Sequence, residues 1–345
     1  KKTLIALAAV AVTSTAMAEV TISGGFAYGY QSTDTLTTAV TGAFLDSAGA
    51  LQTGTPSTAQ AAAGVTVLQA PVTAGQIKDK GFGVDTAELN INVKEDLGGG
   101  MTLNAGMSVG GLARSSTVTG QNMSIALSGG FGTLMMGGIQ IGSGIRGLAQ
   151  AGAPVNNMEG EVLSAAGNSD IVKYTAPKMG DFTLSASLTE PVGIATGMGT
   201  GDKSATTVGV DYAAGPLKAK LDYTNYDADA TSIDHRYRLA AQYDLGVVVV
   251  GYGIENQTLV TVGTKNKLTM LGLSAPLTPA IKVGFVVTTA DASATAGKKT
   301  GNSYGISYAM SKRTSLSANA AKWEASEAAG SVKNSKTTIL LAHSF

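Results

Sequence analysis

The chain has no cysteine, only two histidines and one tryptophan, and only 14% of its 345 residues are charged. Without cysteine it can form neither a disulfide framework nor a reactive thiol, which suits a protein that folds after crossing an oxidising compartment. The charged fraction lies well below the quarter that is usual in soluble domains. Composition therefore disfavours an ordinary soluble domain, but a secreted all-β fibre rich in small residues would fit it equally well.

Long apolar runs and basic tracts are also missing. Beyond residue 12 no apolar stretch approaches the ~20 residues that a transmembrane helix needs, which excludes a helical membrane protein. Without Lys1 and Lys2 the chain has 22 basic and 24 acidic residues, a net charge of −2. The basic residues are scattered along the chain, so we expect no nucleic-acid partner.

The N-terminal residues have the pattern of a secretory leader. Lys1 and Lys2 precede an apolar run over residues 4–12, and small residues lead to Ala18. A charged region, a short apolar region and a small-x-small site are typical of a cleaved signal peptide. We expect residues 1–18 to be removed after export through the Sec pathway, leaving one mature domain over residues 19–345.

The mature sequence alternates with a period of two. In its first segment Val20, Ile22 and Phe26 share one face, while Thr21 and Ser23 lie on the other. Such alternation predicts strands with one apolar face and one face of small or polar residues. An apolar outer face and a polar inner face are typical of a transmembrane barrel.

The connections between these segments alternate between short and long. Seven short turns and eight long polar loops join 16 predicted strands, and the longest loops cover about residues 32–80 and 138–169. A soluble sandwich gives no reason for such strict alternation, whereas outer-membrane barrels combine short turns on one side with long loops on the other. The sequence therefore predicts an all-β fold, a 16-stranded antiparallel transmembrane β-barrel. Four tyrosines just before short turns predict an interfacial aromatic girdle: Tyr174, Tyr212, Tyr243 and Tyr308.

The last predicted strand ends on an aromatic residue. Ile339, Leu341, His343 and Phe345 share one face, and residues 340–345 read LLAHSF. This ending resembles the C-terminal signature of Gram-negative outer-membrane porins. The resemblance implies that these four residues form an assembly signal, read by the barrel-assembly machinery.

Three internal motifs extend the resemblance over nearly the whole mature chain. They read EDLGGG at 95–100, LSGGFGT at 127–133 and NSDIVKY at 168–174. The chain resembles a general diffusion porin of the β-proteobacterial type. The resemblance implies a homotrimer in the outer membrane, in contact with lipid and lipopolysaccharide, in which each barrel forms a water-filled channel for small hydrophilic solutes and ions. It also implies that the third external loop, about residues 138–169, folds inward; the arginine that the family usually has before this loop is replaced by Ile139.

A channel of this kind catalyses no reaction, so its selectivity depends on the pore radius and on the charges that line the wall. The alternation of faces along the strands predicts that the charges on the lumen wall are mostly basic, with Glu324 as a further inward-facing acid. The other predicted wall charges are Lys173, Asp211, Lys218, Lys220, Asp222, Arg236, Arg238, Lys267 and Lys282. A net-positive wall raises the local anion concentration, which predicts weak anion selectivity. The inward loop would add Arg146, Glu159 and Glu161, with its acids facing the basic wall across the constriction. The alternative is that the wall charges are solvated near the mouth and affect conduction little.

Enzyme functions find little support in the sequence. His235 and His343 fall on outward or terminal positions, where they do not suit a Ser-His-Asp site. The acidic loop at 227–234 lacks the glycine and glutamate of an EF-hand, so we expect no metal and no cofactor. Two other functions stay open: a substrate-specific porin, and a plugged barrel used for adhesion or surface interaction. The second would require apolar residues of the first loop to pack inside the barrel: Phe44, Leu45, Val65, Val67 and Leu68.

Overall fold

The computed structural model describes residues 18–37, 43–45, 51–53, 66–69, 75–111, 118–191, 204–227, 233–260, 264–292, 297–327 and 330–345. Within these ranges the chain forms 19 strands and one short helix. Residues 1–17 of the predicted leader lie outside the described residues, so the leader and its cleavage stay predictions. The first strand begins at Glu19, where the mature protein is expected to start.

Sixteen strands form one closed antiparallel barrel in which consecutive strands pair. This confirms the predicted fold. The barrel strands are β1 (Glu19–Thr37), β5 (Gly75–Gly98), β6 (Met101–Gly110), β7 (Thr119–Gly129), β8 (Gly132–Ile141), β9 (Gly167–Thr175), β10 (Phe182–Pro191), β11 (Ala205–Ala214), β12 (Leu217–Tyr226), β13 (Ile233–Asp244), β14 (Val249–Leu259), β15 (Lys265–Pro276), β16 (Ile281–Ala292), β17 (Gly297–Ala309), β18 (Thr314–Glu327) and β19 (Gly330–Ser344). Within the first loop, a separate small sheet contains β2 (Ala43–Leu45), β3 (Leu51–Thr53) and β4 (Thr66–Gln69).

The barrel closes where the two ends of the chain meet. Strand β1 pairs with β19, so that Phe26 lies opposite His343. Beyond β19 the backbone N–H of Phe345 donates to the carbonyl of Gly24 at 3.1 Å, and the Gly24 N–H donates back at 3.2 Å. The rings of Phe26 and Phe345 stack with their centroids 5.4 Å apart. The last residue therefore continues the closing ladder.

The outer face of the barrel is apolar and exposed. Val20 and Ile22 at the start of β1 are 59% and 56% exposed, the reverse of what a soluble sheet does with such residues. Tyr174, Tyr243 and Tyr308 also lie on this face, next to short turns. Among the described residues no helix is long and apolar enough to cross a membrane.

Several strands extend further than the sequence pattern indicates. Two more of the eight long loops predicted from the sequence, at about residues 291–301 and 325–334, are mostly strand. Strand β16 continues to Ala292 and β17 begins at Gly297, while β18 continues to Glu327 and β19 begins at Gly330. A hairpin can prolong its ladder of backbone hydrogen bonds with polar residues, so hydrophobic alternation ends before the strand does. In the first loop, the side chains of Phe44, Val65, Val67 and Leu68 lie outside the described part of the chain, so the packing expected of a plug stays untested.

The connection between β8 and β9, residues 142–166, is here called the inward loop. It carries the helix α1 (Arg146–Ala149) and packs against the inner faces of β13 to β18. Ile145 and Ala149 are buried against Leu268 and Met270 of β15. Further along the loop, Met158 and Val162 form a second buried cluster with Ala321 of β18. Trp323 of the same strand packs against this cluster. The apolar core of this protein thus lies inside the barrel, between this loop and one half of the wall.

Glycines on the inner wall make room for the inward loop. A Cβ atom on any of six wall glycines would approach a loop atom more closely than real Cβ atoms do: Gly251, Gly253, Gly272, Gly284, Gly301 and Gly305. Two hydrogen bonds fix the same contact surface. The Ser274 hydroxyl donates to the Ala151 carbonyl at 2.6 Å, and the Asn156 N–H donates to the Ser303 hydroxyl at 3.0 Å. The glycine and serine residues of the wall therefore form the surface on which the inward loop packs.

Two non-glycine residues of the inward loop adopt left-handed backbone conformations. Ala151 has φ 56° and Met158 has φ 59°. Such conformations are uncommon outside glycine, asparagine and aspartate, and persist where the surroundings determine them. Met158 is fully buried, and its carbonyl accepts hydrogen bonds from the backbone N–H groups of Val162 and Leu163. Tertiary packing therefore determines this part of the loop.

Candidate functional site: the charged lumen

The lumen contains a recess of about 590 Å³ between the start of the inward loop and the inner faces of β8 to β13, here called the basic recess. Four basic side chains line it: Lys173, Lys220, Arg236 and Arg238. Asp222 is the only carboxylate among the described residues that line it. Hydroxyl side chains of Ser185, Ser187, Thr207 and Thr224 line the space as well.

Strand alternation explains why these charges converge. On β12, Lys220, Asp222 and Thr224 alternate with Leu221, whose side chain is 51% exposed on the outer face. The next strand, β13, brings Arg238 opposite Asp222 and Arg236 opposite Thr224. Successive side chains of a strand point to opposite faces, so paired positions on neighbouring strands share the lumen side.

Arg238 and Asp222 form an ion pair that is shielded from water. The Arg238 Nε lies 2.7 Å from the Asp222 Oδ1, and the two side chains are 12% and 3% exposed. Arg238 also stands against Gly144 of the inward loop, where a Cβ atom would collide with the guanidinium group. The pair therefore joins the wall to the beginning of the loop, and Asp222 offsets one of the four positive charges.

The other three basic side chains keep their charges available. Arg236 donates to the Thr224 hydroxyl at 3.4 Å, and its guanidinium carbon lies 5.5 Å from the centre of the Tyr226 ring. Lys173 and Lys220 form no salt bridge within 4.0 Å to any residue in the described part of the chain. Neither lysine is compensated by a bound carboxylate, so an anion in the recess would meet them directly.

The inward loop carries its own charges. Arg146 and Glu159 form an ion pair within the loop. Glu161 accepts a hydrogen bond from Asn156 Nδ2 at 3.3 Å, and its other carboxylate oxygen is buried without a partner among the described residues. The loop thus has one paired and one unpaired acid, which weakens but does not cancel the positive charge of the wall.

Three further predicted lumen residues lie on inner positions outside the basic recess. Asp211 pairs across strands with Lys220, and Lys218 pairs with Gln242. Lys282 shares the inner face of β16 with Gly284, against which Ala153 of the inward loop packs. They contribute to the charge of the lumen but not to that of the recess.

Two placements predicted from alternation are wrong. Lys267 shares a face of β15 with Leu271, which is 40% exposed on the outside, while Leu268 and Met270 point inward. Glu324 lies on the outer face of β18, because its neighbour Trp323 packs on the inward loop. In both strands the inner residues are apolar because the loop covers them, so apolar character does not mark the outer face there.

A second deeply buried acid of the lumen wall, Glu255, is not among the residues predicted from the sequence. Glu255 on β14 lies opposite Arg238 and is 3% exposed, and it accepts a hydrogen bond from Gln257 Nε2 at 2.6 Å. Asn266 Nδ2 donates in turn to Gln257 at 3.1 Å. The alternation of Gly251, Gly253 and Glu255 against Tyr252 continues the β14 pattern and could have revealed this residue.

The remaining predicted residues lie on the outer face. Ile339, Leu341 and Phe345 are 45%, 51% and 41% exposed there, and His343 Nδ1 lies 3.0 Å from the Thr314 hydroxyl. His235 packs between Tyr223 and Tyr237, with Nδ1 2.7 Å from Asp234. Neither histidine lines the basic recess.

Comparisons with known proteins agree with this architecture. The family model for Gram-negative porins matches residues 3–328. An anion-selective porin from Comamonas acidovorans superposes with a TM-score of 0.62 at 18% identity, covering 95% of this chain and 100% of that one. The trimer form of OmpT, an outer membrane protein of Vibrio cholerae, gives 0.60 at 10% identity, with 95% and 99% covered. A mutant of Rh. blastica porin gives 0.59 at 14% identity, with 95% and 100% covered.

A comparison with curated protein sequences gave no significant match. The solved structures are too distant in sequence to show more than the shared fold, whereas the family model covers nearly the whole chain. Together with the closed barrel and its charged lumen, this match shows that the chain belongs to the family of Gram-negative porins, the diffusion channels of the outer membrane.

Proposed function

We propose that this porin passes small hydrophilic solutes passively, without converting them chemically, and that it favours anions. One observation carries the anion preference: among the described residues that line the basic recess there are four basic side chains and a single carboxylate, and that carboxylate already pairs with Arg238. The low-dielectric walls of a cleft focus the field of such charges and raise the local concentration of counter-ions. The Comamonas neighbour is described as anion-selective, which agrees with the proposal.

The preference is expected to be weak because the inward loop opposes it. Glu161 has no cationic partner within 4.0 Å among the described residues, while Glu159 is neutralised by Arg146. Buried Glu255 adds a further negative charge beside Arg238. An anion therefore gains from the recess and loses part of that gain at the loop.

The assembly state belongs to the same proposal. We infer a homotrimer embedded in outer-membrane lipid and lipopolysaccharide, exported through the Sec pathway as a precursor with residues 1–18. The trimer form of the Vibrio neighbour and the apolar outer face support this inference. The outward row formed by Ile339, Leu341, His343 and Phe345 is proposed as the signal that the barrel-assembly machinery reads.

Reconstitution in a planar lipid bilayer tests the proposal. We expect conductance steps in groups of three, and in a potassium chloride gradient a reversal potential on the anion-favouring side. Open steps with a cation-favouring potential would keep the channel and overturn the anion preference. A folded barrel that stays silent would instead support a plugged barrel whose first loop serves surface interaction.

A further inference from the structure

The basic recess has an apolar side as well as a basic one. Met135, Ile139 and Ile141 lie on the inner face of β8 and Ile171 on that of β9, and all four line the recess. They are only half-buried, and neither apolar cluster of the inward loop includes them. Porin interiors are mostly polar, so an uncovered aliphatic patch inside the lumen needs a physical account.

The apolar patch adjoins a free cation. Met135 is the cross-strand partner of Lys173, and Ile171 precedes Lys173 by two residues on the same face. Paired positions on neighbouring strands are close enough for their side chains to touch. The Lys173 ammonium group therefore stands at the edge of the patch, with the rest of the recess lined by hydroxyls and by the other cations.

The recess is large enough to hold an organic anion on both features at once. Its volume of about 590 Å³ falls within the range of known small-molecule sites. Lys173 and Arg236 lie in one cross-strand row, four strands apart, or ~19 Å along the curved wall. A carboxylate at Lys173 could lay a short hydrocarbon body on the isoleucines without reaching Arg236.

We propose that the basic recess is a transient binding site for monoanions that carry an apolar body, such as short aliphatic carboxylates, in preference to purely hydrophilic anions of the same charge. The proposal rests on the open, anion-favouring channel proposed above and names the class of solute that this site favours. The cations supply the attraction for the carboxylate, and burying the hydrocarbon against the patch removes apolar surface from water. Ile139 lies on the inner face of β8 and makes this wall of the site apolar.

Block of the chloride current by added carboxylates tests the site. Acetate and hexanoate carry the same charge at pH 7.5 and differ in hydrocarbon length. Partial burial of the added methylene groups predicts that hexanoate halves the chloride conductance of the reconstituted trimer at a concentration roughly tenfold lower than acetate. Equal potency of the two carboxylates would overturn the proposal.

Two variants test whether the difference in potency between hexanoate and acetate arises at the basic recess. The double change Ile139→Ser and Ile171→Ser should bring hexanoate to the potency of acetate. The matched control, Leu340→Ser, removes an inner-facing aliphatic side chain that does not line the basic recess, so it should keep the difference. A difference that survives the isoleucine changes, or disappears in the control, would show that hexanoate acts elsewhere, for example on the bilayer.

The readouts separate the two proposals. A reversal potential without anion preference contradicts the proposed function, whatever the carboxylates do. An anion-favouring potential with equal potency of acetate and hexanoate keeps the proposed function and contradicts only the binding site.

Discussion

Arg238 and Asp222 form a buried ion pair between adjacent strands, with 2.7 Å between Nε and Oδ1. The same guanidinium group packs against Gly144, at the start of the inward loop. One side-chain pair therefore links the charge of the wall to the position of the loop that narrows the channel. The effect of this pair on the charge of the lumen and its effect on the position of the loop can be measured separately.

Changing Asp222→Asn should strengthen anion preference and weaken the barrel. It removes the one carboxylate among the described residues of the basic recess and leaves Arg238 without its ion-pair partner, at a cost on the order of 3 kcal/mol in stability. The control Asp211→Asn removes an equal lumen charge that forms no salt bridge among the described residues. Reversal potentials should shift the same way in both, while thermal unfolding should shift only in Asp222→Asn; a similar loss of stability in both would contradict the role of the pair.

Changing Gly305→Ala should displace the inward loop. A Cβ atom there would collide with the carbonyl of Pro154, and overpacking of this kind costs about 1–3 kcal/mol. The loop can move only away from the wall, into the lumen, so we expect lower single-channel conductance. Gly147→Ala is the control, because its Cβ would meet no atom within 4 Å although it lies in the loop's own helix. Unchanged conductance in Gly305→Ala would mean that the wall does not hold the loop.

The two acids of the inward loop should behave differently when neutralised. Glu159→Gln and Glu161→Gln each remove one negative charge from the lumen, so both should move the reversal potential toward anions. Only Glu159→Gln leaves Arg146 without its partner, so only this variant should also raise the noise of the open-channel current. A shift toward cations in either variant, or equal noise in both, would contradict this assignment.

Changing Phe345→Ala should reduce the amount of assembled barrel. It removes the ring that stacks on Phe26 at the closure of the barrel. We expect less heat-stable trimer in outer-membrane fractions on gels. Phe131→Ala removes an aromatic ring that is 43% exposed at a short turn and serves as the control. An equal loss in both variants would point to general destabilisation of the outer face.

The sequence predicts the barrel well because apolar residues alternate with small or polar ones along the strands and so identify the outer face. Val20, Ile22 and Phe26 identify the outer face of β1, and the short turns give the strand number. The same logic fails for Lys267 on β15, where Leu268 and Met270 are apolar because they pack on the inward loop. Alternation reports apolar surroundings and does not distinguish lipid from a protein loop.

The path of the inward loop could not be read from the chain either. Its seat depends on glycines that lie far apart in sequence and meet only in the closed barrel, such as Gly251 and Gly305. The left-handed conformation of Met158 depends on the same packing. The basic recess was only partly predictable: its four cations follow from strand facing, whereas its apolar patch required the pairing of β8 with β9 to be known.

Charge reversal at two lysines tests most directly whether the basic recess sets the ion preference. Lys220→Glu and Lys267→Glu change the net charge equally, but Lys220 lines the recess and Lys267 lies on the outer face. In a potassium chloride gradient, Lys220→Glu should move the reversal potential clearly toward cations, and Lys267→Glu should leave it at the wild-type value. Equal shifts in both variants, or none in Lys220→Glu, would contradict the account.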